Sequence, residues 1–315
     1  MMDAYNIGLA ALVLVLAVWT VVARDSFAAV VGFVAYGLLL ALAWVQLGGV
    51  DVALTEAALG SGLTGALLLG AAARLRKTER PARGERPGQP GRLTHLVAAL
   101  FAAGTTSALG IAVLALPDPA PTLAHETAAN IEATGVHNPL TAVLLAFRAV
   151  DTLLEATVVL FALIAVWSLA PDRAWGGRPG PLHRVDPQGP LAFLARVLPP
   201  IGIIVGVYIF WIGADLPGGK FQGAALIAAM WLLAIFSGLA DTPRTDRRML
   251  RLALIAGPVV FMAVGAAGVV IAGAFLGYPE GLAKPLIVLI EWALFPSLAL
   301  TLALIVAGPP ARAET

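Results

Sequence analysis

The chain has 315 residues, of which 59% are hydrophobic and only 12% are charged, and its net charge is +1. A soluble domain of this length needs far more charge to cover its surface, so the composition excludes a soluble globular protein and indicates one that lies in a lipid bilayer. The absence of cysteine excludes disulfides, thiolate metal sites and cysteine nucleophiles.

Uncharged apolar runs recur along the whole chain, each long enough to span a bilayer, which needs about 20 residues. Regular β-type alternation is absent, so helices follow rather than a barrel. The first run has an uncharged or acidic start, and we expect it to be a retained helix. The pattern predicts an all-α polytopic membrane helix bundle of about nine transmembrane helices, at roughly residues 5–23, 26–47, 51–73, 94–116, 138–169, 193–213, 219–239, 250–277 and 284–307.

The basic residues of the loops predict the orientation of the bundle. They concentrate in three loops, while the intervening loops at 117–137, 214–218 and 278–283 contain no Lys or Arg. The positive-inside rule therefore places the N-terminus outside and the C-terminus inside. The basic residues of the three loops are Arg74, Arg76, Lys77, Arg80, Arg83, Arg86, Arg92, Arg173, Arg178, Arg184, Arg244, Arg247 and Arg248.

Two of these basic loops, 74–92 and 171–190, are rich in Pro, Gly and Arg, and we interpret them as linkers. They divide the chain into three modules of three, two and four helices, at residues 1–75, 93–170 and 191–308. This division suggests a fusion of membrane pieces that were once separate.

Charges within the predicted spans are few, and intramembrane charges usually face a protein interior or a water path. In the fifth helix, Arg148, Asp151 and Glu155 are three and four residues apart, which places them on one helical face. Arg148 lies about ten residues into that helix, or roughly 15 Å, near the bilayer centre. The three residues predict a proton or cation relay in which Arg148 tunes both carboxylates; the alternative is a buried Arg–Asp pair that holds helices together.

The third and last helices each contain one further acid. Glu56 is a candidate for ion handling, although the small residues that follow it support close helix packing equally well. Asp51, nearby, is expected to cap the start of its helix. Glu291 is the only charge between Lys284 and Arg312, so it is expected to be protonated or partnered; a hydrogen-bonded structural acid is the alternative.

Pro217, Gly218 and Gly219 predict a tight turn with Asp215 and Lys220 at its mouth. We interpret it as an ordinary helical hairpin, with a close approach of the backbone to an ion as the alternative. The histidines fit no zinc pattern, and no catalytic or nucleotide-binding motif is present. The sequence therefore predicts a protein that is not an enzyme and has no cofactor and no metal centre.

Three motifs carry a family resemblance. DVALTEAALGSGLTGALLL resembles the D membrane subunit of membrane-bound hydrogenases, and NPLTAVLLAFRAVDTLLEATVVLFAL resembles the neighbouring E subunit. Both are equivalent to C-terminal parts of the Mrp antiporter A subunit. DLPGGKFQGAALIAAMWLLA and LIEWALFPSLALTLAL are similar to the Mrp B subunit, which is equivalent to the hydrogenase F subunit. The modules follow the order of the separate subunits.

The resemblance implies a multi-pass subunit, in a bacterial or archaeal cell (inner) membrane, of a Mrp-type cation (sodium)/proton antiporter or a related redox-driven complex. Its implied partners are larger proton-pumping antiporter-like subunits and sodium ions or protons, with no nucleic acid. The resemblance places Glu56, Asp151, Glu155 and Glu291 along the ion pathway, supported by Arg148, Asp215 and Lys220.

The chain departs from the family pattern at Ala146, Ala149 and Leu154, where an acid and two glycines are usual. These departures motivate an alternative function, a structural adaptor that positions pumping subunits without conducting ions itself.

Overall fold

The structure is a computed structural model that describes residues 4–82, 91–119, 121–180 and 188–312. Helices make up almost all of the regular structure in these residues. They are α1 (Ala4–Val22), α2 (Ser26–Gln46), α3 (Val50–Thr55), α4 (Thr64–Ala82), α5 (Arg92–Leu114), α6 (Ala124–Thr134), α7 (Pro139–Ala142), α8 (Ala149–Ser168), α9 (Pro190–Ile212), α10 (Lys220–Phe236), α11 (Arg248–Ala272) and α12 (Ala283–Ala307).

The all-α polytopic membrane bundle predicted from the sequence is confirmed. Within the described residues, eight helices are long and apolar enough to cross a membrane, and the 17-residue α10 is a shorter apolar helix packed among them. Polar caps mark several helix ends: Asp25 accepts a hydrogen bond from the Ala28 amide at the start of α2, and Asn138 accepts one from Leu140 at the start of α7. The orientation in the membrane stays a prediction.

Two spans contain π-helical segments where the sequence pattern predicts continuous α-helix. One segment, Glu56–Leu63, joins α3 to α4, and the other, Val143–Phe147, joins α7 to α8. At Arg148 the backbone leaves helical geometry altogether, with φ −130° and ψ 39°. Both breaks fall beside acids that the sequence singles out, and π-helical turns are frequent at functional sites.

Hydroxyl groups satisfy carbonyls near these breaks, as a lipid environment requires. The Thr64 hydroxyl donates to the Leu59 carbonyl at 2.8 Å, and the Thr152 hydroxyl donates to the Leu144 carbonyl at 2.6 Å. Tyr278, from the loop before α12, donates to the Leu145 carbonyl at 2.6 Å. Burial raises the pKa of Tyr278 to about 12, so its hydroxyl remains protonated and available as a donor.

Helix α12 forms the centre of the bundle, with α10 and α11 packed against it and α9 packed against α10. The core around it contains Phe261, Ile287, Ile290 and Leu294, all fully buried. Helix α8 also packs on α12 and α11, while α2 packs against the first π-helical segment and α1 packs on α2. By contrast, every residue of α5 is exposed within the chain.

Both predicted linkers are partly ordered structure. The segment 74–92 begins as helix, because α4 continues to Ala82; residues 83–90 lie outside the described residues. In the segment 171–190, strand β1 (Arg178–Pro179) pairs antiparallel with β2 (Pro310–Arg312), and residues 181–187 lie outside the described residues. We call this pair of strands the terminal clip, because it ties the linker after the second predicted module to the last described residues.

Candidate functional site

A buried ion pair lies where α10 begins. The Lys220 ammonium is 3.9 Å from the Glu291 carboxylate, and both side chains are only 5% exposed. Helix α10 starts directly at Lys220 after the glycine turn, and this start places the lysine against the middle of α12. A charge in an apolar interior is tolerated only when it is paired, so this contact explains how both residues remain in the bundle. Lys220 is the partner that the sequence could not supply for Glu291.

A third charged residue, Glu155, lies beside this pair, toward the side of the bundle. It lies on α8, close enough to Lys220 for an electrostatic interaction, but its side chain is exposed within the chain. The three residues form an alternating row, with Glu291 in the interior, Lys220 between the acids and Glu155 at the lateral surface. We call this set the charge row.

Arg148 and Asp151 form a separate ion pair. Their charged groups are 2.6 Å apart, and their side chains are 71% and 45% exposed. Arg148 forms its ion pair with Asp151, and Glu155 interacts electrostatically with Lys220, so the tuning of both carboxylates by Arg148 stays a prediction. The break in the helix at Arg148 changes the geometry that regular helical spacing predicts.

Glu56 lies in the first π-helical segment and is partly buried. Its carboxylate folds back over Gly60 and reaches the backbone of Gly37 on α2. The Ser61 hydroxyl approaches the same face of Gly37; Ser61 is 3% exposed, and its oxygen has no hydrogen-bond partner among the described residues. The absence of a Cβ at Gly37 and Gly60 thus lets the Glu56 carboxylate and the Ser61 hydroxyl pack closely against the backbone of these two glycines.

Asp51 joins the three modules and does not cap its own helix, contrary to the prediction. Its Oδ1 accepts hydrogen bonds from the Gly218 amide at 2.7 Å and from Asn138 Nδ2 at 3.5 Å. Gln222 Nε2 donates to the Asp51 carbonyl at 3.3 Å and to the Thr55 hydroxyl at 2.9 Å. We call this set the module junction.

The glycine turn at the module junction is closely packed. Gly218 and Gly219 have φ values of +149° and +141°, which favour glycine, and a Cβ on Gly218 would meet the Ile209 carbonyl. Asp215, in the same turn, contacts residues of two other segments. It lies 2.6 Å from His137 Nδ1 and 2.9 Å from Lys284 Nζ.

These contacts have an electrostatic consequence for Asp215. The hydrogen bond with His137, followed by that with Lys284, lowers the pKa of the Asp215 carboxyl below its usual value. A cavity of about 330 Å³ opens beside the turn and is lined in part by Asp51, His137 and Asp215.

The predicted site residues therefore fall into separate groups. Lys220, Glu291 and Glu155 come together, and Gln222 connects the start of α10 with the residue before Glu56. Of the four predicted acids, Glu291 alone is buried within the chain. Sequence reasoning does not assign five other residues of these groups to a site: Ser61, Asn138, Gln222, His137 and Lys284. The Asn138–Pro139 pair, which is typical of a helix start, is the one sequence signal for any of them. Within the described residues, no group of three or more His, Asp or Glu side chains is arranged to hold a metal ion.

Comparison with known proteins finds two family models that match this chain. A family model for MbhD, the D-type membrane component of MBH, matches residues 11–77. A second model, described as "Domain related to MnhB subunit of Na+/H+ antiporter", matches residues 190–309. An uncharacterized protein from Methanocaldococcus jannaschii is 27% identical over 156 residues, which are 45% of this chain and 60% of that relative.

Two solved structures resemble the fold. A chain of the Mrp complex from Dietzia sp. has a TM-score of 0.72 at 27% identity, over 98% of this chain and 35% of that chain. A chain of the membrane-bound sulfane sulfur reductase, an archaeal respiratory membrane complex, has a TM-score of 0.54 at 24% identity, over 68% of this chain and 97% of that chain. The present chain thus spans about a third of the Dietzia chain, and its likeness to the reductase is one of fold alone. It is a multi-pass membrane subunit of the Mrp/MBH type, with an MbhD domain near its start and an MnhB-related domain near its end.

Proposed function

We propose that this protein is an ion-conducting subunit of a multisubunit cation/proton antiporter-like complex, and that its charge row is part of the ion pathway. The observation that carries the proposal is the buried Lys220–Glu291 pair, with Glu155 beside it at the lateral surface. Glu56 contributes a second acidic position on the other side of α10. The coupled ions are protons and a monovalent cation such as sodium.

The charge row suits proton movement because its members differ in charge and in their exposure at the surface of the chain. An ammonium between two carboxylates can release a proton, and the amine that results can take one up again, as the balance between its neighbours changes. The 3.9 Å separation of Lys220 and Glu291 exceeds a direct hydrogen bond, so the two charges attract each other without a fixed bond. A pair held in this way stabilises the charges and still allows one partner to change its protonation state.

Helix α10 connects the charge row with Glu56. Lys220 faces Glu291, and two residues later Gln222 donates to the Thr55 hydroxyl, next to Glu56 in the chain. The first π-helical segment also packs on α10 through Ala58, Leu59 and Leu63. A shift of α10 that follows a change at Lys220 would therefore reach the Glu56 segment through direct contacts.

The exposure of Glu155 supports a protein partner in the membrane. Its apolar neighbours Leu154, Val158 and Phe161 are each about 60% exposed, so this face of α8 is uncovered in the chain. A carboxylate that faced lipid would cost a few kcal/mol. We therefore propose that a larger antiporter-like subunit covers this face and presents a basic side chain to Glu155.

A structural adaptor remains the second candidate function, and one specific observation favours it. Arg148 and Asp151 form a short ion pair, and the module junction holds three segments through hydrogen bonds between side chains and backbone groups. We assign these residues to positioning, together with Asp215, whose contacts with His137 and Lys284 lie at the surface. The adaptor would have the same junction but no need for the buried charge row.

Neutralising the acids one at a time in the assembled complex tests the proposal. Glu291→Gln and Glu56→Gln should abolish or strongly reduce cation/proton exchange in reconstituted vesicles while the complex still assembles. Glu126→Gln, on the exposed face of α6, is the matched control and should retain exchange. Full exchange in Glu291→Gln, with normal assembly, would instead support the adaptor.

A further inference from the structure

The start of α11 carries a surplus of positive charge. Residues 244–251 contain four arginines and one aspartate, which gives this segment a net charge of +3. The aspartate, Asp246, is already held by Arg244 through two hydrogen bonds of 3.0 and 2.6 Å. Like charges grouped at a helix start repel one another and oppose the helix dipole, so the segment favours an external anion. The remaining arginines are exposed, and none of them lies at ion-pair distance from a carboxylate of the described chain: Arg247, Arg248 and Arg251.

Contacts with neighbouring loops hold Arg251 in place. Its Nε donates to the Thr245 carbonyl at 2.9 Å, and the Thr245 amide donates to the Gly177 carbonyl at 3.0 Å. Because only Nε is used, both terminal nitrogens of Arg251 remain available to a ligand. Asp246 lies beyond ion-pair distance of Arg251 and interacts with it through its charge alone. Trp175, two residues before Gly177, is 61% exposed, and tryptophan is enriched where a membrane meets water. The arginines therefore lie at a surface of the kind that contacts lipid headgroups.

An exposed column of apolar side chains continues from these arginines along α11. Its members are three or four residues apart, so they share the helical face of Arg248 and Arg251. From Arg251 to the last member the helix rises about 16 Å, close to the roughly 15 Å of hydrocarbon in one leaflet. A pair of guanidinium groups followed by such a column matches a phospholipid, in which an anionic head is followed by acyl chains. The column consists of Leu252, Ile255, Val259 and Met262, all at least 39% exposed.

We propose that this face of α11 binds an anionic phospholipid. The lipid phosphate lies against Arg248 and Arg251, Arg247 adds positive charge beside them, and an acyl chain lies along the apolar column. Arginine suits this ligand because its planar guanidinium donates parallel hydrogen bonds to phosphate oxygens. A zwitterionic headgroup would leave the surplus charge of the segment uncompensated, so charge complementarity selects an anionic one. The site is separate from the charge row and does not depend on ion conduction.

Thermal unfolding of the whole purified complex, freed of lipid in detergent, measures this binding. A ligand that binds the folded state raises its stability in proportion to ln(1 + [L]/Kd). Phosphatidylglycerol is added to the micelles at increasing concentration, and zwitterionic phosphatidylcholine is added to a parallel series. We expect phosphatidylglycerol to raise the unfolding midpoint of the native complex more than phosphatidylcholine does. Arg248→Gln combined with Arg251→Gln should increase the half-saturating phosphatidylglycerol concentration about tenfold or more, because charge-assisted hydrogen bonds to the phosphate are lost.

Two controls make the test specific. Arg92→Gln removes an exposed arginine at the start of α5, where no arginine follows one turn later, and this variant should keep the native half-saturation. Soluble glycerol 3-phosphate should leave the midpoint unchanged, which separates a lipid site from a site for free phosphate.

Four results would overturn the inference. The first two are equal effects of the two lipids on the native complex and equal half-saturation in the native and doubly substituted complexes. The third is full protection by glycerol 3-phosphate alone. The fourth is loss of another subunit from the doubly substituted complex, which would identify this face as a protein contact. The comparison of the two lipids needs no substituted chain.

Discussion

Removing one or both charges of the Lys220–Glu291 pair separates a structural role from a conducting one. In Lys220→Met, the Glu291 carboxylate is left 5% exposed and without its cation. Breaking a buried ion pair in this way costs about 3–5 kcal/mol. The Glu291→Gln change leaves the Lys220 ammonium in the same position and should cost a similar amount. Each single variant should therefore unfold at a lower temperature or lower denaturant concentration.

The double variant Lys220→Met with Glu291→Gln should behave differently, because no unpaired buried charge remains; Glu155 keeps its charge but is exposed. Replacing a buried ion pair by neutral side chains of similar volume is often neutral or stabilising, by about 1–4 kcal/mol. The double-mutant cycle should thus give a coupling free energy of several kcal/mol, well above the roughly 0.5 kcal/mol expected for independent sites. Unfolding of the purified complex supplies the stability data, and cation/proton exchange in vesicles is measured on the same preparations.

The combination of the two assays is decisive. If the charge row conducts, the double variant regains stability but has no exchange activity. Recovery of both stability and exchange in the double variant would refute the conducting role and leave the pair purely structural. Single variants that lose less than about 1 kcal/mol would show that the pair is exposed to water, contrary to its burial.

Three further changes have distinct expected outcomes. Glu155→Lys should weaken association with a neighbouring subunit more than Glu155→Gln does, as measured by native gel electrophoresis; equal assembly of both would contradict a basic partner at this face. Gly218→Ala should destabilise the protein by about 2 kcal/mol or more in thermal unfolding, because φ is +149° and the new Cβ would meet the Ile209 carbonyl. The lowered pKa of Asp215 contributes stability above its unfolded pKa of about 3.9, and this contribution is lost as pH falls through the folded pKa. Asp215→Asn should remove this loss of stability at low pH. The change is small because the carboxylate is half-exposed. An unchanged dependence of stability on pH in the variant would indicate that the ion pairs of Asp215 are fully screened.

The membrane-spanning helices can be predicted from the sequence alone, because a long apolar run in a bilayer has few structural alternatives to a helix. Helix bounds agree with the structure within a few residues at α1, α2 and α12. The sequence predicts a loop at 117–137, but this connection contains α6, an amphiphilic helix too short and too polar to register as a span. The terminal clip is likewise missed, because two short strands leave no periodic signal.

The candidate site is harder to predict from the sequence, because its contacts join residues that are far apart along the chain. Helical spacing places Arg148 beside both carboxylates of its helix, but the backbone leaves helical geometry at Arg148, so the 3.6-residue period does not extend to that residue. Nothing in the local pattern around Glu291 indicates that Lys220 faces it from another helix. The local pattern presents Ser61 as one of several small packing residues, and only its burial without a partner distinguishes it from the others.

The module junction also has a consequence for how the protein is made. Asp51, Asn138 and Gly218 lie in the three predicted modules, and one polypeptide carries all three residues. Contacts between tethered segments form at a high effective concentration, independent of expression level. The three modules are therefore produced in equal numbers and meet without a diffusional search. A mutation at the junction would loosen the arrangement of the modules but could not change their stoichiometry.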